Sequence, residues 1–209
     1  MTADWAATHT ATVVFLIYKM KEIVFATNNA HKLRELREIT ADKDISILSL
    51  ADIGCHEEIA ETAATIEGNA EIKARYVREK YGFDCFADDT GLEIKALDGR
   101  PGVYSARYSG EDCNSERNID RVLDEMRGVA DRSARFRTAI ALCTDAGVEI
   151  FEGEVRGVIL TERHGSGGFG YDSIFKPDEA QCSFAEMTPD EKNAISHRGR
   201  AVAALLPAL

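Results

Sequence analysis

The run "CFADDTGLEIKAL", from Cys85 to Leu97, takes a short apolar segment into two adjacent carboxylates, Asp88 and Asp89. A Thr-Gly pair then reads as a turn. Beyond it Leu92, Ile94 and Ala96 alternate with Glu93 and Lys95, the pattern of a second strand. Adjacent residues on an extended strand point to opposite faces. Asp88 and Asp89 therefore need not share one site. One can face a cleft and bind Mg²⁺, while the other is held by backbone or side-chain donors. A few hard oxygen ligands, with water and substrate phosphates completing the shell, is the usual Mg²⁺ pattern.

Moving upstream, "GNAEIKARYVREKYG" is a helix with Ile72, Tyr76 and Val77 on its apolar face and Gly82 as its stop. Before it, "HEEIAETAATIEGNAEIK" supplies further carboxylates, Glu58, Glu61 and Glu67. "EIVFAT", Glu22 to Thr27, is a short β-branched run that reads as a buried first strand. The helix that follows is capped by Asn28 or Asn29 and lined by Leu33, Leu36 and Ile39. "ISILSL", Ile45 to Leu50, is a second strand. Downstream, "RPGVYSARYSG" reads as a loop and "NSERNIDRVLDEMRG" as an amphipathic helix. "ARFRTAIALCT", the turn "DAG" and "VEIFEGEVRGVIL" form a long hairpin. "TPDEKNAISHRGRAVAALL" closes the chain as one helix, with Thr188 as cap, Pro189 in the first turn and Glu191 completing a capping box. Strands and helices alternate early and strands cluster later. That order predicts an α/β domain with a mixed sheet.

The bulk composition narrows the function. The chain has 209 residues, 44% hydrophobic and 29% charged, enough for one sizeable core. Its formal net charge is -11 and it has no Lys/Arg-rich block, which argues against a nucleic acid polymer as partner. Its five cysteines form no C-x-x-C pair, which favours a reducing cytoplasmic setting over a disulfide framework. The apolar run Val13 to Tyr18 falls short of the roughly 20 residues that a membrane helix needs. With no basic region before it, it makes a poor signal peptide. Residues 1–19 are expected to be a tail preceding a single domain, residues 20–209, with Met20 as an alternative start.

Three further stretches carry chemistry. In "ATNNAHK" a strand runs through a polar turn into a helix start. Such a turn leaves backbone N–H groups that favour an anion, with Lys32 adding a charge. In "HGSGGFGYD" Gly165, Gly167 and Gly170 match G-x-G-x-x-G. "YDSIFKP" does not open a helix, which the dinucleotide fingerprint requires. A glycine-rich loop presenting Phe169 and Tyr171 to a nucleobase fits better. In "EKNAISHRG", Lys192, Ser196 and Gly199 fall near one helix face beside His197 and Arg198. A mid-helix glycine costs about 1 kcal/mol, and close approach of a ligand would compensate.

In this order, "FATNNAHKLRE", "EGNAEIKA", "FADDTGLEI", "GRPGVYSARYSGE", "GGFGYDSIFKP" and "FAEMTPDEKNAISHRG" resemble the inosine triphosphate pyrophosphatase family. The resemblance covers nearly everything from Glu22 onward. It implies an elongated α/β fold with a mixed sheet, flanking helices and two lobes around a central cleft, usually as a homodimer. It implies hydrolysis of non-canonical purine nucleoside triphosphates (ITP, dITP, XTP) between the α and β phosphates, with Mg²⁺ as cofactor. Carried onto this chain, Asp89 is the catalytic carboxylate and, with Glu61, the metal ligand. Thr27, Asn28, Asn29, Ala30, His31, Lys32, Lys73, Thr90, Phe169, Gly170, Tyr171, Asp172, Lys192, His197 and Arg198 bind substrate. Lys32, Lys73 and Lys192 ring the triphosphate, and His197 and Arg198 meet the 6-oxo group of the base. Asp88 is a structural partner. Asn28 stands where the family commonly has glycine, so it is expected to need an unusual backbone angle. Two competing readings are a nucleotide sensor that does not hydrolyse and a septum-inhibitor-like pyrophosphatase with other nucleotide preferences. The intact "SHRG" disfavours the latter.

Overall fold

The computed structural model describes residues 21–209, so the expected tail, residues 1–19, and Met20 lie outside the described residues. Seven strands form one sheet: β1 (Lys21–Phe25), β2 (Ile45–Leu48), β3 (Cys85–Ile94), β4 (Pro101–Gly102), β5 (Ser133–Thr144), β6 (Gly147–Ile159) and β7 (Phe175–Pro177). Their order is β2-β1-β3-β5-β6-β7, with β4 on β3. β1 runs parallel to β2 and β3, and every other pairing is antiparallel, so the sheet is mixed. Five α-helices cover it: α1 (Ala30–Ile39), α2 (Ile66–Tyr81), α3 (Ser115–Glu125), α4 (Pro189–Ile195) and α5 (His197–Leu205). Among the described residues no helix is long and apolar enough to cross a membrane.

β3 passes through the "DDTG" stretch without a turn, which corrects the hairpin-like reading of that region. All ten of its residues pair with β5, from Cys85 opposite Cys143 to Ile94 opposite Ala134. Gly91 is there for a different reason. A Cβ at that position would lie 2.8 Å from the Gly102 carbonyl oxygen, so the glycine admits β4 against the strand. Ser105–Arg107, inside the expected loop, forms a short 3₁₀ turn.

Alternation along β3 divides its neighbours. Cys85 and Ala87 join α2 residues Ala70, Ala74 and Val77 in one buried cluster. Phe86 joins Leu36 of α1 and Ala201, Val202 and Leu205 of α5 on the other face. Leu92 and Ile94 belong to a third cluster with Ile119 and Val122 of α3, Phe136, Phe175 and Phe184. Asp88, Asp89 and Thr90 thus sit where the strand leaves one lobe for the other.

The expected C-terminal helix is two helices. Thr188 and Glu191 do form the capping box, with Pro189 in the first turn. Ser196, however, is extended (φ −68°, ψ 156°), and its hydroxyl accepts from the Gly199 N–H at 3.0 Å to cap α5. Lys192, Ser196 and Gly199 therefore do not share a continuous helical face. Gly199 makes room for the chain itself and not for a ligand, because a Cβ there would meet the Asn193 carbonyl oxygen at 1.9 Å. Gly153 of β6 does the same for α5, whose His197 carbonyl would lie 2.0 Å from an added Cβ.

Candidate active site

A cavity of about 620 Å³ opens beside β3 and draws walls from both lobes. At one end lie the loop after β1, α2 and the carboxylates. Thr27, Asn28, Asn29, Lys32, Glu58, Glu61, Lys73, Asp89 and Thr90 all line it. Asn29 caps α1, its Oδ1 accepting from the N–H groups of His31 (2.9 Å) and Lys32 (3.2 Å). The Asn29 N–H itself donates to Thr27 Oγ1. The backbone donors expected to be free for an anion are therefore largely in use, and Lys32 supplies the charge. Asn28 is not among the non-glycine residues of positive φ, which are Asp98 and Cys113 among the described residues, so the expected unusual angle is not adopted.

The two aspartates face opposite ways, as strand alternation requires. Asp88 is buried. Its Oδ1 accepts from Lys32 Nζ at 3.0 Å and its Oδ2 from Arg198 Nε at 3.1 Å. Burial pushes its carboxyl up, but Lys32, Arg198 and Lys73 outweigh burial and hold it well below the usual carboxylate range. Asp89 faces α2, where Asn69 Nδ2 donates to its Oδ2 at 3.2 Å. Burial raises the Asp89 carboxyl, Lys73 and Lys32 only partly offset that, and the charge of Glu61 raises it further. Glu61 accepts from Lys73 Nζ at 2.5 Å. Glu67 instead pairs with Arg137 at 2.5 Å, outside the cavity lining.

Asp89 and Glu61, whose charges act on each other in the cavity wall, are two carboxylates that could hold a divalent cation. The set suits Mg²⁺: a carboxyl driven up by burial beside a second anion is relieved by a cation between them, and Mg²⁺ accepts a pair of carboxylates plus water and phosphate oxygens. No group of three or more acidic, histidine or cysteine side chains forms a fuller protein cage among the described residues.

The other end is aromatic. Phe169 is half-buried, with His31 stacked on it at 5.3 Å, Lys192 Nζ at 4.8 Å and the Arg198 guanidinium at 5.6 Å. Tyr171 lines the cavity but is packed into the core, its hydroxyl donating to the Ser105 carbonyl at 2.8 Å. Of the two aromatics expected to stack on a base, Phe169 stays half-buried at the cavity wall with His31, Lys192 and Arg198 about its ring, whereas the Tyr171 ring packs into the core. Asp172 is buried against Lys192 (2.8 Å) and accepts from the Phe169 N–H (2.8 Å). Burial raises its carboxyl, with Lys192 pulling the other way.

His197 is buried, stacked on Phe136 at 4.5 Å, and its Nδ1 meets no partner among the described residues. Burial first, then Arg198 and Lys192, hold its pKa well below the ordinary value, so the imidazole is neutral at pH 7. Arg198 is 2% exposed and donates to Asp88, Glu35 and Thr90. Glu35 also accepts from Lys192 at 2.7 Å and ties both cations to α1.

The structure thus gathers every expected site residue into the cavity wall except Ala30 and His31, which open α1 beside it. Sequence reasoning missed Glu35, Asn69, Arg107, Asn118 and Phe136. Glu35 follows Lys32 by one helical turn on α1, a weak signal. Asn69 and Arg107 fall inside the family-like segments "EGNAEIKA" and "GRPGVYSARYSGE" without a role assigned to them there, and Asn118 and Phe136 sit in stretches whose spacing carries no mark of a site.

The Ham1 family model matches residues 23–208. The chain is 52% identical to the dITP/XTP pyrophosphatase of Porphyromonas gingivalis over 89% of this chain and 96% of that one. It is 50% identical to the dITP/XTP pyrophosphatase of Flavobacterium psychrophilum, covering 88% and 97% of the two chains. Among solved structures it resembles a HAM1 protein from Coxiella burnetii, with TM-score 0.83 and 40% identity over 90% of this chain and 98% of that one. The chain belongs to the Ham1 family.

Proposed function

We propose that the protein hydrolyses non-canonical purine nucleoside triphosphates (ITP, dITP and XTP) to the monophosphate and pyrophosphate with Mg²⁺, and so clears them from the nucleotide pool. One observation carries the reading. A single cavity joins the Asp89–Glu61 carboxylates and the Lys32 and Lys73 ammonium groups to Phe169, His197 and Arg198. Phosphate chemistry at one end and recognition of a flat heteroaromatic at the other is what a nucleotide needs.

Asp89 takes the proton of the attacking water as the bond between the α and β phosphates breaks. A carboxyl raised by burial is the stronger base for that step. Asn69 and the Thr90 N–H, each hydrogen-bonded to one Asp89 oxygen, orient it. Lys32 and Lys73 bind the triphosphate as point charges without reading the base. Mg²⁺ held by Asp89 and Glu61 would offset phosphate charge. Phe169 stacks on the purine. Arg198, fixed by Asp88, Glu35 and Thr90, offers its remaining N–H groups to a 6-oxo acceptor, with neutral His197 beside it. Adenine presents a 6-amino donor there and leaves such buried donors unpaired. A homodimer, on the strength of the family resemblance, and a cytoplasmic setting, on the cysteine pattern, belong to the same proposal.

The test is pyrophosphate release from ITP, dITP, XTP, GTP and ATP across a Mg²⁺ titration. Efficiency highest for ITP, dITP and XTP and lost with a chelator is expected. A preference for ATP, or turnover indifferent to chelation, would refute it.

A further inference from the structure

We propose that Arg107 is a pyrophosphate-end contact: a guanidinium that binds the β and γ phosphates of the substrate from the lobe opposite Lys32 and Lys73. This rests on the phosphate chemistry proposed above. Arg107 ends the 3₁₀ turn Ser105–Arg107 and lines the same cavity as Lys32, Lys73, Glu61 and Asp89. Lys32 donates to Asp88, Lys73 to Glu61, Lys192 to Glu35 and Asp172, and Arg198 to Asp88, Glu35 and Thr90. Arg107 differs from all four. Its side chain donates no hydrogen bond to any described residue, and its ion pair with Glu61 is loose at 3.7 Å.

The side chain is nonetheless held in place. It is 22% exposed, lines the cavity, and its guanidinium carbon lies over the Tyr104 ring at 5.3 Å, a cation–π contact that restrains it. A planar guanidinium with unused donors matches phosphate oxygens in pairs, where an ammonium supplies only a point charge. Its nearness to Glu61, which is paired with Lys73 at 2.5 Å, sets it at the phosphate end and not at Phe169. A triphosphate brings about four negative charges into this end, more than Lys32 and Lys73 can match while they keep Asp88 and Glu61.

The experiment compares the parent with Arg107→Ala and Arg107→Lys. Inorganic pyrophosphate is titrated calorimetrically with and without Mg²⁺, and kcat/KM is measured for ITP and IDP. Arg107→Ala is expected to weaken pyrophosphate about tenfold or more and to narrow the ITP-to-IDP ratio by a similar factor. Arg107→Lys should restore part of both. Pyrophosphate affinity and the ITP-to-IDP ratio unchanged in Arg107→Ala would overturn the proposal. So would a shift confined to the Mg²⁺ activation constant, because Arg107 would then serve only to hold Glu61. If the parent releases no pyrophosphate from ITP, the proposed function fails and this inference with it. If the parent is active and Arg107→Ala matches it, this inference alone fails.

Discussion

Replacing Asp88 by Asn tests the buried charge network that underlies the site. Asp88 is 1% exposed and bonds Lys32 at 3.0 Å and Arg198 at 3.1 Å. Breaking a buried pair by removing one partner costs about 3–5 kcal/mol, because the other charge stays buried. Arg198 keeps Glu35 and Thr90, and the Asn oxygen can still accept one bond, so the lower end applies, about 3 kcal/mol. For a domain of this size that lowers Tm by roughly 6–12 °C. Urea unfolding at pH 7 and at pH 4 measures it. The folded Asp88 carboxyl lies below its unfolded value, so its stabilisation is complete above about pH 4 and is lost only as pH falls through the folded pKa. The gap between parent and mutant should therefore persist from pH 7 to about pH 4 and close below that. Adding Lys32→Met should recover at least about 1 kcal/mol, since it removes the orphaned ammonium. A cost under about 1 kcal/mol at pH 7, or strict additivity in the double mutant, would refute the reasoning.

The other outcomes are simpler to read. Asp89→Asn is expected to lower kcat/KM for ITP by about 100-fold or more while Tm at pH 7 stays at or above the parent's, because the Asp89 carboxyl is raised by burial; that Tm advantage should shrink as pH falls, checked by steady-state assay and thermal melts across pH. Arg198→Ala is expected to lower ITP efficiency far more than ATP efficiency, and an unchanged ratio of kcat/KM values would mean that Arg198 serves structure or phosphate instead. Gly153→Ala should push α5 off β6, since its Cβ would meet the His197 carbonyl at 2.0 Å; loss of ITP selectivity together with a Tm drop, by assay and melt, is expected.

What the sequence by itself determined was local. The β5–β6 hairpin, the Thr188–Glu191 capping box and the opposite facing of Asp88 and Asp89 follow from backbone geometry over short stretches, and all stand in the structure. Much of the cavity lining was legible too, through the motifs that carry the family resemblance. The tertiary structure decided the rest. Thr90-Gly91 looks like a turn until β5 pairs along it and β4 approaches Gly91. The final helix breaks at Ser196 because its hydroxyl caps the next helix, an alternative that propensity does not rank. Glu35 meets Lys192 and Arg198 across separations of 157 and 163 residues, and Arg107 reaches Glu61 from the other lobe. Such pairings depend on how elements pack, and helical or strand periodicity carries no record of them.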